Sequence, residues 1–300
     1  EAKSAYAASV ESQRATWETE LTKRLQDYFQ QEQQVIHHAV DQAALPSTAA
    51  LRVETALKTQ EPQLEAVLLQ AYKDVVGDFG EQTSKAFANA SKNIRKPFRS
   101  EQKLASVDMF NNAVIKHLKT VAAQKVQQID ATTLAMLQDE LAEGVANGES
   151  IPQLAKRIDS LYLDQIIPNR STTIARTEVV GASNYGAMAA AQQSGLTLNK
   201  VWLATDDART RPDHASADGQ EVPMDEPFDV GGYQMMQPGD PDAPAGEVVS
   251  CRCTVYFKRT DAPALDNSDN SDDSEKSIIP IRPRRERYPG YREMLRGVAR

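Results

Sequence analysis

The chain has 300 residues, 40% hydrophobic and 6% aromatic, with two cysteines and a formal net charge of −8. That length admits one large domain or two ordinary ones. The acidic balance argues against a nucleic-acid binder that works through overall charge, two cysteines exclude a disulfide framework and fit a reducing compartment, and no run approaches the ~18 apolar residues of a membrane span. No signal peptide opens the chain. Its first residue is Glu1 rather than Met, as expected of a fragment, a processed product or the downstream part of a fusion.

Residues 1–129 hold few Gly and Pro and much Ala, Gln, Glu and Lys, which predicts three to five helices. Leu21, Leu25, Tyr28, Phe29, Ile36 and Val40 recur at helical spacing, and Leu64, Val67, Leu68, Ala71, Tyr72 and Val75 repeat the habit. Pro46, Pro62 and Pro97 punctuate the segment. The broad polar faces predict an assembly arm, some of whose apolar stripes meet partner chains.

Residues 130–260 predict a compact α+β domain, helices first and a small antiparallel sheet after. Leu134, Leu137, Leu141 and Val145 make one helical stripe, and Asn147-Gly148 is a stop signal. Ser150 to Gln153 reads as a capping box, with Pro152 just inside a helix that buries Ile151, Leu154, Ile158 and Leu161. After Pro168 comes a helix rich in small residues, ending near Gly195, whose backbone another element can approach closely. "KVWLAT" reads as a strand with Trp202 in the core. Residues 212–247 hold six Pro and five Gly, so long loops follow. "VVSCRCTVYFK" reads as a strand with Val249, Cys251, Cys253, Val255 and Phe257 on one face. "DAPALDNSDNSDDSE", residues 261–275, predicts an acidic disordered linker. Residues 276–300 form a basic tail with eight basic and two acidic residues, suited to an acidic protein surface or to DNA.

The stretch 206–214 crowds Asp206, Asp207, Arg209, Arg211, Asp213 and His214 together. Three chemistries compete for it. His214, Cys251 and Cys253, with Asp206 or a neighbouring aspartate as the fourth ligand, suit a tetrahedral zinc site. Zinc thiolates lie about 3.8 Å apart for Zn–S near ~2.3 Å, whereas residues i and i+2 on one strand face are ~6.5–7 Å apart. Both cysteines therefore reach one ion only if the strand bends or ends there. The alternative is two buried thiols without metal. A structural polar network is the second chemistry: Arg176 and Asn184 share a helix face, and Arg209 and Arg211 present forked donors to Glu178, Asp206, Asp207 and Asp240. Catalysis is the third, but no nucleophile elbow, HExxH motif or Gly-rich phosphate loop accompanies these residues, and Arg176 with Glu178 is too generic a pair to carry an ADP-ribosyl-transfer-like reading. His37, His38 and His117 read as surface or packing residues.

Several blocks occur in order: "IARTEVVGASNYGA", "KVWLATDDARTRPDHASADGQEVPMDEPF" and "QPGDPDAPAGEVVSCRC". Together they resemble the phage Mu F-like / SPP1 minor head protein domain family, the head-morphogenesis domain of tailed double-stranded DNA phages. The resemblance covers about residues 130–258. It implies a non-enzymatic minor capsid protein of the virion head, present in the host cytoplasm during assembly. It implies the portal protein and other head proteins as partners, and for some members departure with the DNA. The family also occurs fused behind portal proteins or ahead of toxin domains. A portal fusion is thus the first alternative and a genome-delivered enzyme or toxin-like effector the second. Packaged DNA through the basic tail, and further copies of the chain, complete the expected partners.

Overall fold

The computed structural model describes residues 2–92, 108–109 and 111–260. The predicted linker, the basic tail and Pro97 lie outside the described residues. Helix α1 spans Ala2–Asp41, α2 Pro46–Lys58 and α3 Glu61–Lys92. Pro46 and Pro62 stand in first turns, where a missing N–H costs no intrahelical bond. The expected apolar positions are buried, from Leu21 to Val40 on α1 and from Leu64 to Val75 on α3, with Val67 partly so. These stripes close on the chain's own core rather than waiting for a partner: both helices pack against α6, Ser171–Gln193.

The small residues of α6 make that closeness possible. A Cβ added to Gly186 would stand 2.7 Å from the Val76 carbonyl oxygen of α3, and one at Gly181 would stand 2.8 Å from the Gly239 carbonyl oxygen. Backbone meets backbone there, so no side chain fits.

Helix α4, Asn112–Ala146, starts with the Asn111 side chain accepting from the Ala113 N–H at 2.8 Å. It runs unbroken through residue 130, passing from the helical region into the segment that resembles the family. Gly148 ends the turn at φ 73°. Gln153 then accepts from the Ser150 N–H at 2.8 Å and opens α5, Ile151–Leu161, which buries Leu154, Ile158 and Leu161.

One feature of this region escapes sequence patterning. Tyr162–Arg170 is a π-helical segment with Pro168 inside it, a rare geometry. Its Tyr162 hydroxyl donates to fully buried Glu32 at 2.7 Å, and Tyr28 donates to the same carboxylate at 2.5 Å. Burial raises the Glu32 proton affinity against these bonds. Nearby Asp130 is pushed up to about 7 by burial and by the Glu32 and Glu61 charges.

The sheet is antiparallel, in the order β2 (Glu221–Pro223), β1 (Leu198–Leu203), β5 (Thr254–Arg259). A separate hairpin joins β3, Phe228–Val230, to β4, Tyr233–Met235. The short helices α7, Pro212–Ser216, and α8, Ala245–Val248, interrupt the loops. Trp202 is fully buried, with Phe228 and His214 edge-on to it at 5.4 and 5.5 Å between ring centroids. The fold is thus α+β, as expected. The last strand is shorter than predicted: pairing begins at Thr254, opposite Leu203, and Ser250 sits at φ 56°. A left-handed residue cannot continue a strand, so Val249 to Cys253 form a turn instead of a strand face.

Candidate metal centre

That turn resolves the distance problem posed by the two cysteines. His214 on α7, Cys251 and Cys253 are all buried, and their donor atoms lie within 4.8 Å of one another. His214 Nδ1 is 3.3 Å from Cys253 Sγ and 3.6 Å from Cys251 Sγ. Around a tetrahedral zinc with Zn–S near ~2.3 Å and Zn–N near ~2.0 Å, nitrogen and sulfur ligands sit about 3.5 Å apart. The three residues therefore already have nearly the separations of a shared coordination sphere.

The other face of the imidazole is fixed as well. His214 Nε2 lies 3.1 Å from Glu247 Oε2, on α8. A proton on Nε2 donates to that carboxylate and leaves the Nδ1 lone pair pointing at the thiols. This is the carboxylate–histidine arrangement that orients metal ligands. Burial opposes a charge on the ring, but the Cys253 and Glu247 contacts outweigh it and raise the His214 proton affinity. The thiols influence each other: the bond from Cys251 pulls Cys253 down, and the same bond with burial lifts Cys251. The thiolate is the form in which a cysteine takes up a metal.

Asp206, the expected fourth ligand, is exposed and is not among the clustered donors. Among the described residues the protein supplies three side-chain ligands. The fit of these three to zinc is chemical as well as geometric, because two soft thiolates and an imidazole select it over magnesium or calcium.

The polar residues around the centre separate into several small sets. Asn184, 1% exposed, is a hub: its Oδ1 accepts from Arg14, from the Thr254 hydroxyl and from the Val255 N–H, and its Nδ2 donates to the Pro238 and Cys253 carbonyls. Glu178 is buried elsewhere, accepting from the Tyr72 hydroxyl at 2.6 Å with Lys125 at 4.0 Å; burial raises its proton affinity. Arg176 reaches back to Glu18 on α1 at 3.4 Å. Arg211 donates to the Val249 carbonyl at 2.7 Å, tying the 206–214 loop to the cysteine turn. Asp207 is clasped by both Arg252 terminal nitrogens, which hold its carboxyl well below the usual range, while Arg209 is three-quarters exposed beside it. Asp240 staples its own loop, accepting from the Met236 and Asp242 N–H groups.

Two residues of this site went unnoticed in the sequence. Glu247 stands four positions before Cys251 and carries no motif. Arg14 lies far away in the chain, yet it is 3% exposed and donates into the cysteine turn. Its signal was legible: Tyr6, Val10 and Arg14 fall at i, i+4 and i+8 on the apolar stripe of α1, where an arginine needs a buried set of acceptors.

Residues 135–256 match the family model described as Phage Mu protein F like protein. The chain is 32% identical over 142 residues to the Minor head protein GP7 of Bacillus phage SPP1, covering 46% of this chain and 44% of that protein. It is 30% identical over 169 residues to a protein of Enterococcus faecalis (strain ATCC 700802 / V583) named NAD(+)--arginine ADP-ribosyltransferase EFV, covering 52% of this chain and 33% of that protein. The chain therefore spans less than half the length of either curated relative. No solved structure matches it. The ordered blocks on α6, on β1 with the loop after it, and at the cysteine turn all fall within residues 135–256, the stretch that the Phage Mu protein F like family model matches.

Proposed function

We propose that the protein is a non-enzymatic minor component of a tailed-phage head, binding at or near the portal vertex during assembly. The observation that carries this is the Mu F-like match together with a relative named as a minor head protein. The polar chemistry around His214 supports a structural role: its donors meet backbone carbonyls, loop carboxylates and one another. In this reading residues 1–129 form the assembly region, residues 130–260 the body and residues 276–300 a basic tail for packaged DNA or an acidic head-protein surface. The protein acts first in the host cytoplasm and then in the virion head, in contact with the portal, with other head proteins and with its own copies. Departure with the DNA is the last step.

Within that body, zinc held by His214, Cys251 and Cys253 serves as a staple. The loops of this segment are joined by short elements only, and an ion that ties α7 to the cysteine turn adds a constraint between them. The relative named as an ADP-ribosyltransferase favours a second reading, a delivered effector.

Because α6 rests on α1 and α3, deleting residues 1–130 would strip a core instead of an appendage. The test therefore uses the whole chain. Heads assembled with the tagged chain are purified and their proteins and metal quantified. A few copies per head, each with one zinc, are expected; absence from heads overturns the assembly reading, and metal-free protein overturns the staple. Transfer of ADP-ribose to arginine by the purified chain would favour the effector.

A further inference from the structure

Arg14 is a cation buried beside the cysteine turn. Its guanidinium is 3% exposed. It donates to Ser183 Oγ at 2.7 Å, Asn184 Oδ1 at 2.9 Å, Thr254 Oγ1 at 3.4 Å and the carbonyls of Arg252 and Cys253, both at 3.1 Å. Every one of these acceptors is neutral. A buried cation without an anion is costly, and a fork of donors satisfied only by dipoles offsets part of that cost. Burial lowers its proton affinity, opposed in part by Cys251, Tyr6, Cys253 and Glu18.

We infer that Arg14 is a positioning residue for the metal centre, and that docking of α1 and metal binding stabilise each other. The inference rests on the zinc reading above. Geometry carries it: the carbonyls Arg14 holds belong to Arg252 and Cys253, the stretch that must turn for both sulfurs to face His214. Asn184 accepts from Arg14 and donates to the Cys253 carbonyl at 3.2 Å, so the same contacts set the turn from a second side. The surrounding face of α1 is anchored to the sheet as well: Tyr6 donates to the Val255 carbonyl at 2.8 Å and meets Tyr256 edge-on. An ion that orders the turn thereby orders the socket for α1, and the reverse holds by linkage.

The test measures zinc affinity of the full chain by chelator competition, for the parent, Arg14→Met and Arg14→Lys. Folding of each apo form is followed in parallel. The expected result is a loss of about tenfold or more in affinity for Arg14→Met, corresponding to ~1.4 kcal/mol of coupling, with partial rescue by Arg14→Lys, which keeps the charge and loses the fork. A merely structural Arg14 would lower the stability of apo and zinc-bound forms equally and leave affinity unchanged; that outcome overturns the inference. Should Arg14→Met fail to fold, the parent supplies a second readout. Stripping the metal is expected to speed amide exchange along α1 from Tyr6 to Leu21, and unchanged exchange there overturns the inference. A parent that binds no zinc overturns the metal reading itself, and this inference with it. A parent with one zinc whose affinity ignores Arg14 overturns the inference alone.

Discussion

His214→Ala is expected to lower stability by ~3–5 kcal/mol, the range for removing one partner of a buried ion pair. The ring is 2% exposed. It fills the space beside Trp202, holds Glu247 and faces both cysteines. Alanine leaves a cavity against the indole and strands a carboxylate that is 13% exposed. In a chain of this size the melting temperature should fall by on the order of 10 °C. A second substitution separates packing from charge. Combining His214→Ala with Glu247→Gln should cost less than the two single changes added together, because the stranded charge is then gone. Thermal and urea unfolding of the four proteins check both expectations. The same variant discriminates the two readings of function: a structural histidine costs stability and head incorporation, whereas a catalytic one would abolish an activity in a protein that still folds at full strength.

The second large effect is steric. Gly186→Val should cost ~3 kcal/mol or more, at the upper end for overpacking in a tight core. Two terms oppose each other at this position. A side chain relieves the conformational freedom of glycine in a helix, which is worth up to ~1 kcal/mol. Against that, the new Cβ stands 2.7 Å from the Val76 carbonyl oxygen and 3.0 Å from its Cα. Those atoms belong to the backbone of α3, so the clash is relieved only by moving one helix off the other, and sterics win. Gly77, one residue beyond Val76, is the matched control: nothing lies within 4 Å of a Cβ placed there. Gly77→Ala should therefore gain a few tenths to ~1 kcal/mol. If Gly186→Val were as stable as the parent by urea unfolding, the close α3–α6 contact would be wrong.

Head incorporation, metal content and the behaviour of Arg14 bear on function; these two substitutions bear on the frame that makes function possible. The frame is continuous. Arg14 and Tyr6 of α1 bond to the cysteine turn and β5, and Glu18 pairs with Arg176 of α6. A partner that grips the outer faces of α1 or α3 would thus pull on the same body that holds the metal centre.

Local physics made much of this legible in the chain itself. The stripes of α1 and α3, the capping box at Ser150, the stop at Gly148, the strand at Trp202 and the closeness allowed by the small residues of α6 all follow from side-chain spacing or backbone preference. So does the nomination of His214, Cys251 and Cys253, since few residue types ligate zinc. Tertiary structure decided the rest, because it depends on which distant surfaces meet. A strand pattern ran from Val249 to Phe257, but Ser250 in the left-handed region ended it early, and only that turn brought the two sulfurs together. Asp206 was near His214 in sequence and stayed in solvent, while Glu247, unmarked by any motif, took the ring's other nitrogen. Arg14 lay more than two hundred residues from the turn it supports. Periodicity could say that an arginine on an apolar stripe must be buried; only the packing of α1 on α6 and β5 could say against what.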